Sequence, residues 1–287
     1  MKTETPLVKL DSFGNMTLYA KLENRNPSGT IKYRTAKNMI DNAISSGILK
    51  EGMTIIEHTS GNTGIAIAYI GKKLGYPVTI IGGKLVTPEA KDIIRKYGAK
   101  LVEVDGWFID CEKIVKEIIS KNPESYFWVQ QGSNPNSLES NFNLGLEIAN
   151  QFYEQHKSRI DVFLASMATG STITGVGKAL KERNPKTKVY LVLPDGEYKY
   201  VGVDDKGEST VPMPLFNPNI VDGEVRVKES EAIEAAKILH RDYGHYVGIS
   251  AGADFAAAKK VSREEKGNAV IIFPDSGDRY KHVLGEE

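Results

Sequence analysis

From Met53 onward, short apolar runs alternate with stretches of helical periodicity. The run 189–193 is apolar on both faces, which is typical of a parallel strand that helices cover on both sides. The pattern predicts strands at 53–57, 77–81, 100–104, 126–129, 160–165, 188–193 and 268–273. It predicts helices at 61–74, 88–97, 110–120, 138–155, 172–183, 229–243 and 250–261. A strand–helix alternation this long predicts an α/β fold with mostly parallel sheets.

Charge and cysteine content narrow the class of protein. The 287 residues contain 37 Lys plus Arg and 37 Asp plus Glu, so the formal net charge is zero. Such a chain lacks the basic surface of a nucleic-acid-binding protein and has no general attraction to anionic membranes. Cys111 is the only cysteine, so no internal disulfide can form, and we interpret it as core filling. Without a signal-peptide pattern or a membrane-length apolar run, we expect a cytoplasmic protein.

Lys32 is the strongest candidate for a catalytic residue. It follows a turn of small residues, 26–30, and stands at the start of an amphipathic helix. A lysine that is partly desolvated at such a place has a lowered pKa and can act as a nucleophile and a base, forming a Schiff base with a carbonyl compound. Most lysines are instead solvated helix residues, a description that fits the neighbouring Arg34 and Lys37.

Two polar turns each join a predicted strand to a predicted helix. Backbone N–H groups at a helix N-terminus bind anions, and the helix dipole favours negative charge there. The first turn, a candidate phosphate site, consists of Ala168, Thr169, Gly170, Ser171 and Thr172. The second, a candidate carboxylate site, consists of Thr59, Ser60, Gly61, Asn62, Thr63 and Gly64. Ordinary helix caps without a ligand give the same local pattern.

Ser276 follows the last predicted strand, at the sheet edge where open α/β sheets bind ligands. Its hydroxyl could pair with a ring nitrogen without forcing protonation, whereas the adjacent Asp275 would favour a protonated ring. A simple turn is the alternative interpretation. Metal chemistry is not predicted, because the five histidines lack metal-binding spacing. A nucleotide-binding Rossmann enzyme is disfavoured, because no glycine fingerprint with a downstream acid is present.

Taken together, the motifs resemble the cysteine synthase / cystathionine β-synthase family of fold-type II pyridoxal-phosphate enzymes, and most closely its cysteine synthases (O-acetylserine sulfhydrylases). The resemblance covers nearly the whole chain. Besides the two turns, it rests on segments 5–8, 20–23, 26–29, 130–135, 248–253 and 274–280. It implies a tryptophan synthase β-like architecture: two three-layer α/β domains with mostly parallel central sheets and pyridoxal 5'-phosphate in the cleft between them.

The resemblance also implies a role for each matching residue. Lys32 would hold the cofactor as an internal aldimine and move the Cα proton, while Asn62 would meet the ring hydroxyl and Ser276 the pyridine nitrogen. The phosphate would be bound by Ala168, Thr169, Gly170, Ser171 and Thr172. The substrate would be bound by Thr59, Ser60, Gly61, Thr63, Gln131 and Gly248. The implied reaction makes L-cysteine from an O-activated L-serine (O-acetylserine or O-phosphoserine) and sulfide, through an aminoacrylate.

Departures from the family pattern keep alternatives open. Tyr33 replaces an acidic residue, Ser171 a glycine, Gly132 an aromatic residue and His58 a proline. Gly132 suggests a pocket roomier than sulfide needs. The alternatives are a cystathionine β-synthase-like enzyme, a serine/cysteine β-eliminating enzyme, and a catalytically silent binding or regulatory protein on the same fold.

Domain organisation and partners complete the expectations. We predict a smaller mobile domain at 33–137 and a larger cofactor-binding domain made of 1–32 and 138–287. Closure of the smaller domain on the substrate is expected. The segment 204–223 has no clear periodicity and is predicted as a long loop. The resemblance implies a homodimer and a serine acetyltransferase as a partner.

Overall fold

The computed structural model describes residues 4–195 and 214–285. The strands are β1 (Leu7–Phe13), β2 (Met16–Lys21), β3 (Thr54–His58), β4 (Val78–Gly82), β5 (Lys100–Glu103), β6 (Tyr126–Trp128), β7 (Val162–Ser166), β8 (Lys188–Pro194), β9 (Gly223–Val227) and β10 (Gly267–Ile272). The helices are α1 (Lys32–Ser45), α2 (Asn62–Leu74), α3 (Pro88–Lys96), α4 (Phe108–Lys121), α5 (Asn136–His156), α6 (Ser171–Arg183), α7 (Glu229–Tyr243), α8 (Ile249–Val261) and α9 (Lys281–Leu284). The predicted α/β fold is confirmed.

The larger sheet has six strands in the order β1-β2-β10-β7-β8-β9. Every neighbouring pair is parallel except the hairpin of β1 and β2. Buried apolar side chains cover both faces, as the apolar runs of β7, β8 and β10 require. The carboxyl ends of β7 and β10 therefore lie side by side at one edge, where open α/β sheets bind ligands.

The smaller sheet has four parallel strands in the order β5-β4-β3-β6. The apolar face of α1, with Ala36, Met39 and Ile40, shares a buried cluster with β3 and α2. All four strands lie within 33–137, and the strands of the larger sheet lie outside that range. The division into two domains at these positions stays a prediction.

Three strands were not predicted from the sequence. β1 and β2 pair as an antiparallel hairpin before the strand–helix alternation begins, and β1 keeps several partly exposed polar residues. β9 is an edge strand whose side chains alternate in exposure. Of the predicted loop 204–223, residues 204–213 lie outside the described residues. The remainder contains a short 3-10 turn, Pro218–Ile220, and the first residue of β9.

Cys111 is buried in a small cluster with Ile56 and Ile81, in keeping with its interpretation as core filling. Over residues 4–195 and 214–285, no helix combines the length and the apolar character that a membrane crossing requires. Within those same ranges, no group of three His, Cys, Asp or Glu side chains could hold a metal ion.

Candidate active site

Lys32 begins α1 at the carboxyl edge of the larger sheet. The chain is fixed there because the Ile31 N–H donates to the Pro274 carbonyl at 2.7 Å and Thr30 bridges to Asp275. The Lys32 side chain is half-buried and makes no hydrogen bond or ion pair to the described residues. Desolvation without a compensating anion lowers the pKa of Lys32 to about 8. This is the state that a lysine nucleophile needs near neutral pH.

An open cleft lies beside Lys32. The elements that form its wall are the starts of α1 and α2, the turn after β7, one face of α8 and the end of β10. Its lining includes Lys32, Asn62, Ser166, Ala168, Thr169, Gly170, Thr172, Ser250 and Asp254. The fold thus brings Lys32, Asn62 and the predicted phosphate turn together from distant parts of the sequence.

The turn after β7 ends at Gly170, which precedes α6 with φ of 80°. A Cβ at this position would collide with Phe216, so glycine is required for both conformation and space. Ser171 differs from its predicted role. Its hydroxyl is buried away from the cleft, against Ser137 at 2.8 Å and Asn141 at 2.6 Å, so only its backbone N–H can serve the cleft. The first turn of α6 retains N–H groups that the helix leaves unpaired.

The second turn is held rigidly at the start of α2. The Thr59 hydroxyl accepts from the Gly61 N–H at 3.1 Å, and the Thr63 hydroxyl donates to Gln131 Oε1. Gln131 in turn donates from its amide side chain to the His58 carbonyl at 3.0 Å. The structure therefore brings Gln131 to the turn predicted to bind the substrate carboxylate, although the two are far apart in sequence.

The buried carboxylate of Glu57 fixes the position of Gln131. Glu57, which is fully buried, accepts from the Gln131 N–H at 2.9 Å, the His58 N–H at 2.8 Å and the Trp128 indole at 3.2 Å. Because a buried carboxylate needs such partners, the three donors fix the end of β3 relative to the end of β6 and to Gln131. The sequence analysis did not identify Glu57.

Asn62 is tied to the C-terminal segment. Its Nδ2 donates to Asp275 Oδ2 at 2.8 Å, and its Oδ1 accepts from Arg279. Asp275 also accepts from Arg279 Nη1 at 2.8 Å and from the Tyr280 hydroxyl at 2.9 Å. The Arg279 side chain occupies the space that a Cβ at Gly61 would need. All three donors bind Oδ2, while Oδ1 is buried without a hydrogen-bond partner among the described residues. Asp275 is not among the residues that line the cleft, which argues against it as the partner of a ring nitrogen.

The expected contact of Ser276 with the ring nitrogen requires a correction. Ser276 does not line the cleft, and its hydroxyl donates to Asp278 Oδ2 at 2.7 Å at the start of a 3-10 turn. Gly248 also acts through its backbone, because its N–H donates to the Asp275 carbonyl at 3.1 Å and a Cβ there would meet the Asp275 carboxylate. Ser250, in the first turn of α8, does line the cleft.

Asp254, one helical turn beyond Ser250, was also missed. Its side chain is 2% exposed, and it lines the cleft. The sequence held a signal, because Asp254 is the single acidic residue of α8 in a run of small and apolar residues. Residues four apart lie on the same helix face, which would have placed Asp254 beside Ser250.

The cleft suits a phosphorylated aldehyde with an aromatic ring. It offers a desolvated lysine without a partner among residues 4–195 and 214–285, a helix N-terminus with unpaired N–H groups, and polar side chains at intermediate positions. Asp254 also has a buried carboxylate oxygen without a hydrogen-bond partner in the described chain. These features match the covalent and anionic ends of pyridoxal phosphate.

Comparisons with known proteins agree with this chemistry. The family model described as "Pyridoxal-phosphate dependent enzyme" matches residues 2–275. Cysteine synthase A of Escherichia coli (strain K12) is 35% identical over 300 residues, covering 96% of this chain and 90% of the relative.

Two solved structures are similar to this chain over most of their length. One is O-acetyl serine sulfhydrylase isoform 3 from Entamoeba histolytica, at 31% identity and a TM-score of 0.84, covering 96% of this chain and 87% of that one. The other is a hydrogen sulfide-producing enzyme from Fusobacterium nucleatum, at 30% identity and a TM-score of 0.88, covering 96% of both chains. The chain belongs to the family of pyridoxal-phosphate dependent enzymes, and within it to the cysteine synthases.

Proposed function

We propose that this chain makes L-cysteine from an O-activated L-serine and sulfide by a pyridoxal-phosphate-dependent β-replacement. The single observation that carries the proposal is the position of Lys32, whose pKa is lowered to about 8, in one cleft with the N-terminal turn of α6. The cysteine synthase relatives support the choice of reaction.

Lys32 is the residue that binds the cofactor covalently, through Nζ. The cofactor, when bound, supplies an electron sink that acidifies the substrate Cα–H and lets the β-substituent leave. Because the Lys32 pKa is close to neutral, its amine can take the proton from Cα and return it after sulfide has added.

The remaining cofactor contacts follow from the cleft lining. The backbone of 168–172 binds the phosphate at the N-terminus of α6. The Ser250 hydroxyl, in place of Ser276, contacts the ring nitrogen. Asn62 contacts the ring hydroxyl through the second hydrogen of Nδ2, since the first is donated to Asp275.

The substrate carboxylate binds at the start of α2. The residues proposed for it are Thr59, Ser60, Gly61, Thr63 and Gln131. A carboxylate there gains from the N–H groups and dipole of the helix. Because the Thr63 hydroxyl donates its hydrogen to Gln131 Oε1, it fixes the Gln131 amide. The second Nε2 hydrogen of that amide is left for the carboxylate, and this preorganisation lowers the entropy cost of binding.

Borohydride reduction of the purified enzyme, followed by peptide mass spectrometry, tests the assignment of Lys32. We expect the cofactor mass on Lys32, a yellow preparation that bleaches, and loss of nearly all turnover in Lys32→Ala. Lys37→Ala is the matched control, since Lys37 lies on the same helix in an ion pair with Asp41. A cofactor mass on another lysine, or normal turnover of Lys32→Ala, contradicts the proposal. A colourless chain that ignores added cofactor favours the catalytically silent alternative.

The second candidate function is a β-replacement that uses a nucleophile larger than sulfide, such as homocysteine. A Cβ at Gly132 would meet no atom within 4 Å, so this position, next to Gln131, opens onto free space. The similar hydrogen sulfide-producing enzyme also keeps the β-eliminating alternative under test. Steady-state assays with O-acetylserine, O-phosphoserine, serine and cysteine, each with sulfide or homocysteine, separate these reactions. If homocysteine is used, Gly132→Phe is expected to suppress it while sparing sulfide.

Three further properties belong to the proposal. Residues 33–137 form a smaller domain that closes on the substrate, which identical free and substrate-bound crystal structures would refute. The enzyme is a cytoplasmic homodimer, for which sedimentation equilibrium gives the oligomeric state and fractionation the compartment. A serine acetyltransferase is a partner, which co-purification from the native cell tests.

A further inference from the structure

Asp275 lies where three helices that line the cleft begin. The backbone of residues 274–275 binds the turn before α1 and the residue that precedes α8. The Asp275 side chain reaches the start of α2, because its Oδ2 accepts from Asn62 Nδ2. One segment therefore sets the relative positions of the elements that carry Lys32, Asn62 and Ser250, all of which line the cleft.

The Asn62 amide is held in a single orientation. Asp275 Oδ2 takes a hydrogen from Asn62 Nδ2 at 2.8 Å. The Arg279 guanidinium has only donors, and its Nη1 donates to Asn62 Oδ1. Exchanging the amide oxygen and nitrogen would set two acceptors against each other at Asp275 and two donors against each other at Arg279. Among the described residues nothing else accepts from Nδ2, so its second hydrogen is available to the cleft.

The ion pair that holds Asn62 is buried. Arg279 Nη1 donates to Asp275 Oδ2 at 2.8 Å, and the Tyr280 hydroxyl donates to the same oxygen at 2.9 Å. A buried ion pair adds little stability compared with apolar residues of the same volume, because both charges lose their hydration. Its hydrogen bonds are directional, however, and here they determine which atom of the Asn62 amide can point into the cleft.

We propose that Asp275 and Arg279 are positioning residues that fix Asn62 as a hydrogen-bond donor to the ring oxygen of the cofactor. The inference rests on the proposed function, in which Asn62 contacts the ring hydroxyl. A donor at this position stabilises the deprotonated ring oxygen, and hydrogen bonds to the ring tune the electronics of the cofactor. An amide that was free to turn over could instead present Oδ1, which would stabilise the protonated hydroxyl.

Absorbance spectra and cofactor titration of Asp275→Asn test this inference. The protonated and deprotonated forms of the ring oxygen give the bound cofactor separate absorbance bands, with the deprotonated form at the longer wavelength. In Asp275→Asn the new amide can donate to Asn62 Oδ1, so the Asn62 amide can turn over. We expect the ratio of the long-wavelength band to the short-wavelength band to fall. Cofactor binding should weaken about tenfold, as the loss of one hydrogen bond predicts.

A double-mutant cycle separates positioning from a purely structural role. In Asn62→Ala the ring oxygen has already lost its donor, so adding Asp275→Asn should change neither the band ratio nor the cofactor affinity any further. A purely structural Asp275 would give additive effects. Tyr280→Phe is the matched control, because it removes a donor to the same oxygen of Asp275 without touching Asn62. Its band ratio should equal that of the wild type.

Arg279→Lys covers the case in which Asp275→Asn does not fold. It keeps a cation beside Asp275 but loses the planar fork of the guanidinium, so the band ratio should again fall. An unchanged ratio in whichever of these two variants folds, a changed ratio in Tyr280→Phe, or additive effects of Asn62→Ala and Asp275→Asn overturns the inference. If borohydride fixes no cofactor on Lys32 in the wild type, the proposed function itself fails. If it does and the ratio is unchanged, only the positioning role fails.

Discussion

At the scale of one residue, the desolvation that lowers the pKa of Lys32 also lowers the stability of the folded protein. This pKa is 10.5 in an ordinary environment and about 8 in the folded protein. Between these values the unfolded chain binds more protons, so stability rises with pH across this window. Below about pH 8 both states carry the proton, and the folded state bears the full cost of a desolvated charge.

Replacing Lys32 by methionine should therefore stabilise the cofactor-free protein. Methionine keeps the length of the chain and removes the charge, so we expect Lys32→Met to raise the free energy of unfolding by about 2 kcal/mol near pH 7. The gain should shrink toward about pH 10, where the wild-type lysine is mostly neutral. Urea unfolding of both proteins at the two pH values measures it. Lys37→Met, at an ion-paired site on the same helix, should show no comparable gain, and an equal gain there would contradict the explanation.

Arg279 is the second residue whose removal has a specific expected cost. It is 3% exposed and pairs with Asp275, which is 1% exposed, and it also holds the Asn62 side chain. Arg279→Ala leaves the Asp275 carboxylate buried without its cation, so we expect a loss of about 3 kcal/mol in the free energy of unfolding. Chemical denaturation measures the loss. Arg241→Ala, which removes an exposed ion pair with Asp242, is the control and should change nothing measurable.

At the scale of elements, the close crossing of α5 and α6 positions the turn 168–172, the proposed phosphate site. A Cβ at Gly175 would lie 2.7 Å from the Asn141 Cβ and 2.9 Å from the Leu138 carbonyl oxygen. A Cβ at Gly145 would lie 2.6 Å from the Ala179 Cβ, so each helix contributes a glycine to the contact. The buried Ser171 hydroxyl, bonded to Ser137 and Asn141, joins the start of α6 to the same face of α5.

Gly175→Ala should consequently destabilise the protein, although alanine is the better helix former. Helix propensity alone predicts a gain of about 1 kcal/mol. Overpacking at a backbone contact costs typically 1–3 kcal/mol, and we expect a net loss of about 1–2 kcal/mol. We also expect weaker cofactor binding, since α6 begins at the phosphate turn. Thermal unfolding and cofactor titration measure both effects, with the exposed Glu182→Ala on α6 as the control. A stabilised Gly175→Ala would show that the two helices can separate freely.

At the scale of the whole molecule, a buried ionic network joins the N-terminal hairpin to α1 and α5. Lys21, fully buried on β2, donates to Glu147 at 2.6 Å. Arg34 on α1 binds both Glu147 at 2.7 Å and the buried Glu23 at 2.7 Å. The network thus ties the helix that begins at Lys32 to the larger sheet and to α5, across long separations in sequence.

Glu147→Gln should reveal the contribution of this network through its pH dependence. Burial by itself raises the pKa of Glu147, but the hydrogen bonds and charges of Arg34 and Lys21 outweigh it, and the pKa is lowered overall. A lowered carboxyl pKa contributes stability above the unfolded value and loses it as the pH falls through the folded value. We expect Glu147→Gln to lose about 3 kcal/mol near pH 7. The gap to the wild type should close under acid conditions, and a gap independent of pH in urea unfolding would contradict the assignment.

The sequence by itself determined the class of the fold, because hydrophobic periodicity is local. The alternation after Met53 located the strands and helices that build the two parallel sheets. It missed β1, β2 and β9, which have mixed or edge-strand patterns and are stabilised by pairing with strands distant in sequence or at the sheet edge. Lys32 and the turns at 59–64 and 168–172 were also recognisable, because each joins distinctive residues to a predicted helix start.

Only the tertiary structure decided which side chains face the cleft. Ser276 and Ser250 are both serines next to glycines, yet the Ser276 hydroxyl caps a turn, whereas Ser250 lines the cleft. Ser171 likewise directs its hydroxyl toward α5, away from the cleft that its sequence position had suggested. Side-chain direction depends on the packing of whole elements against one another, and the burial of Asp254 depends on α8 lying against β7 and β10. Local sequence carries neither relationship.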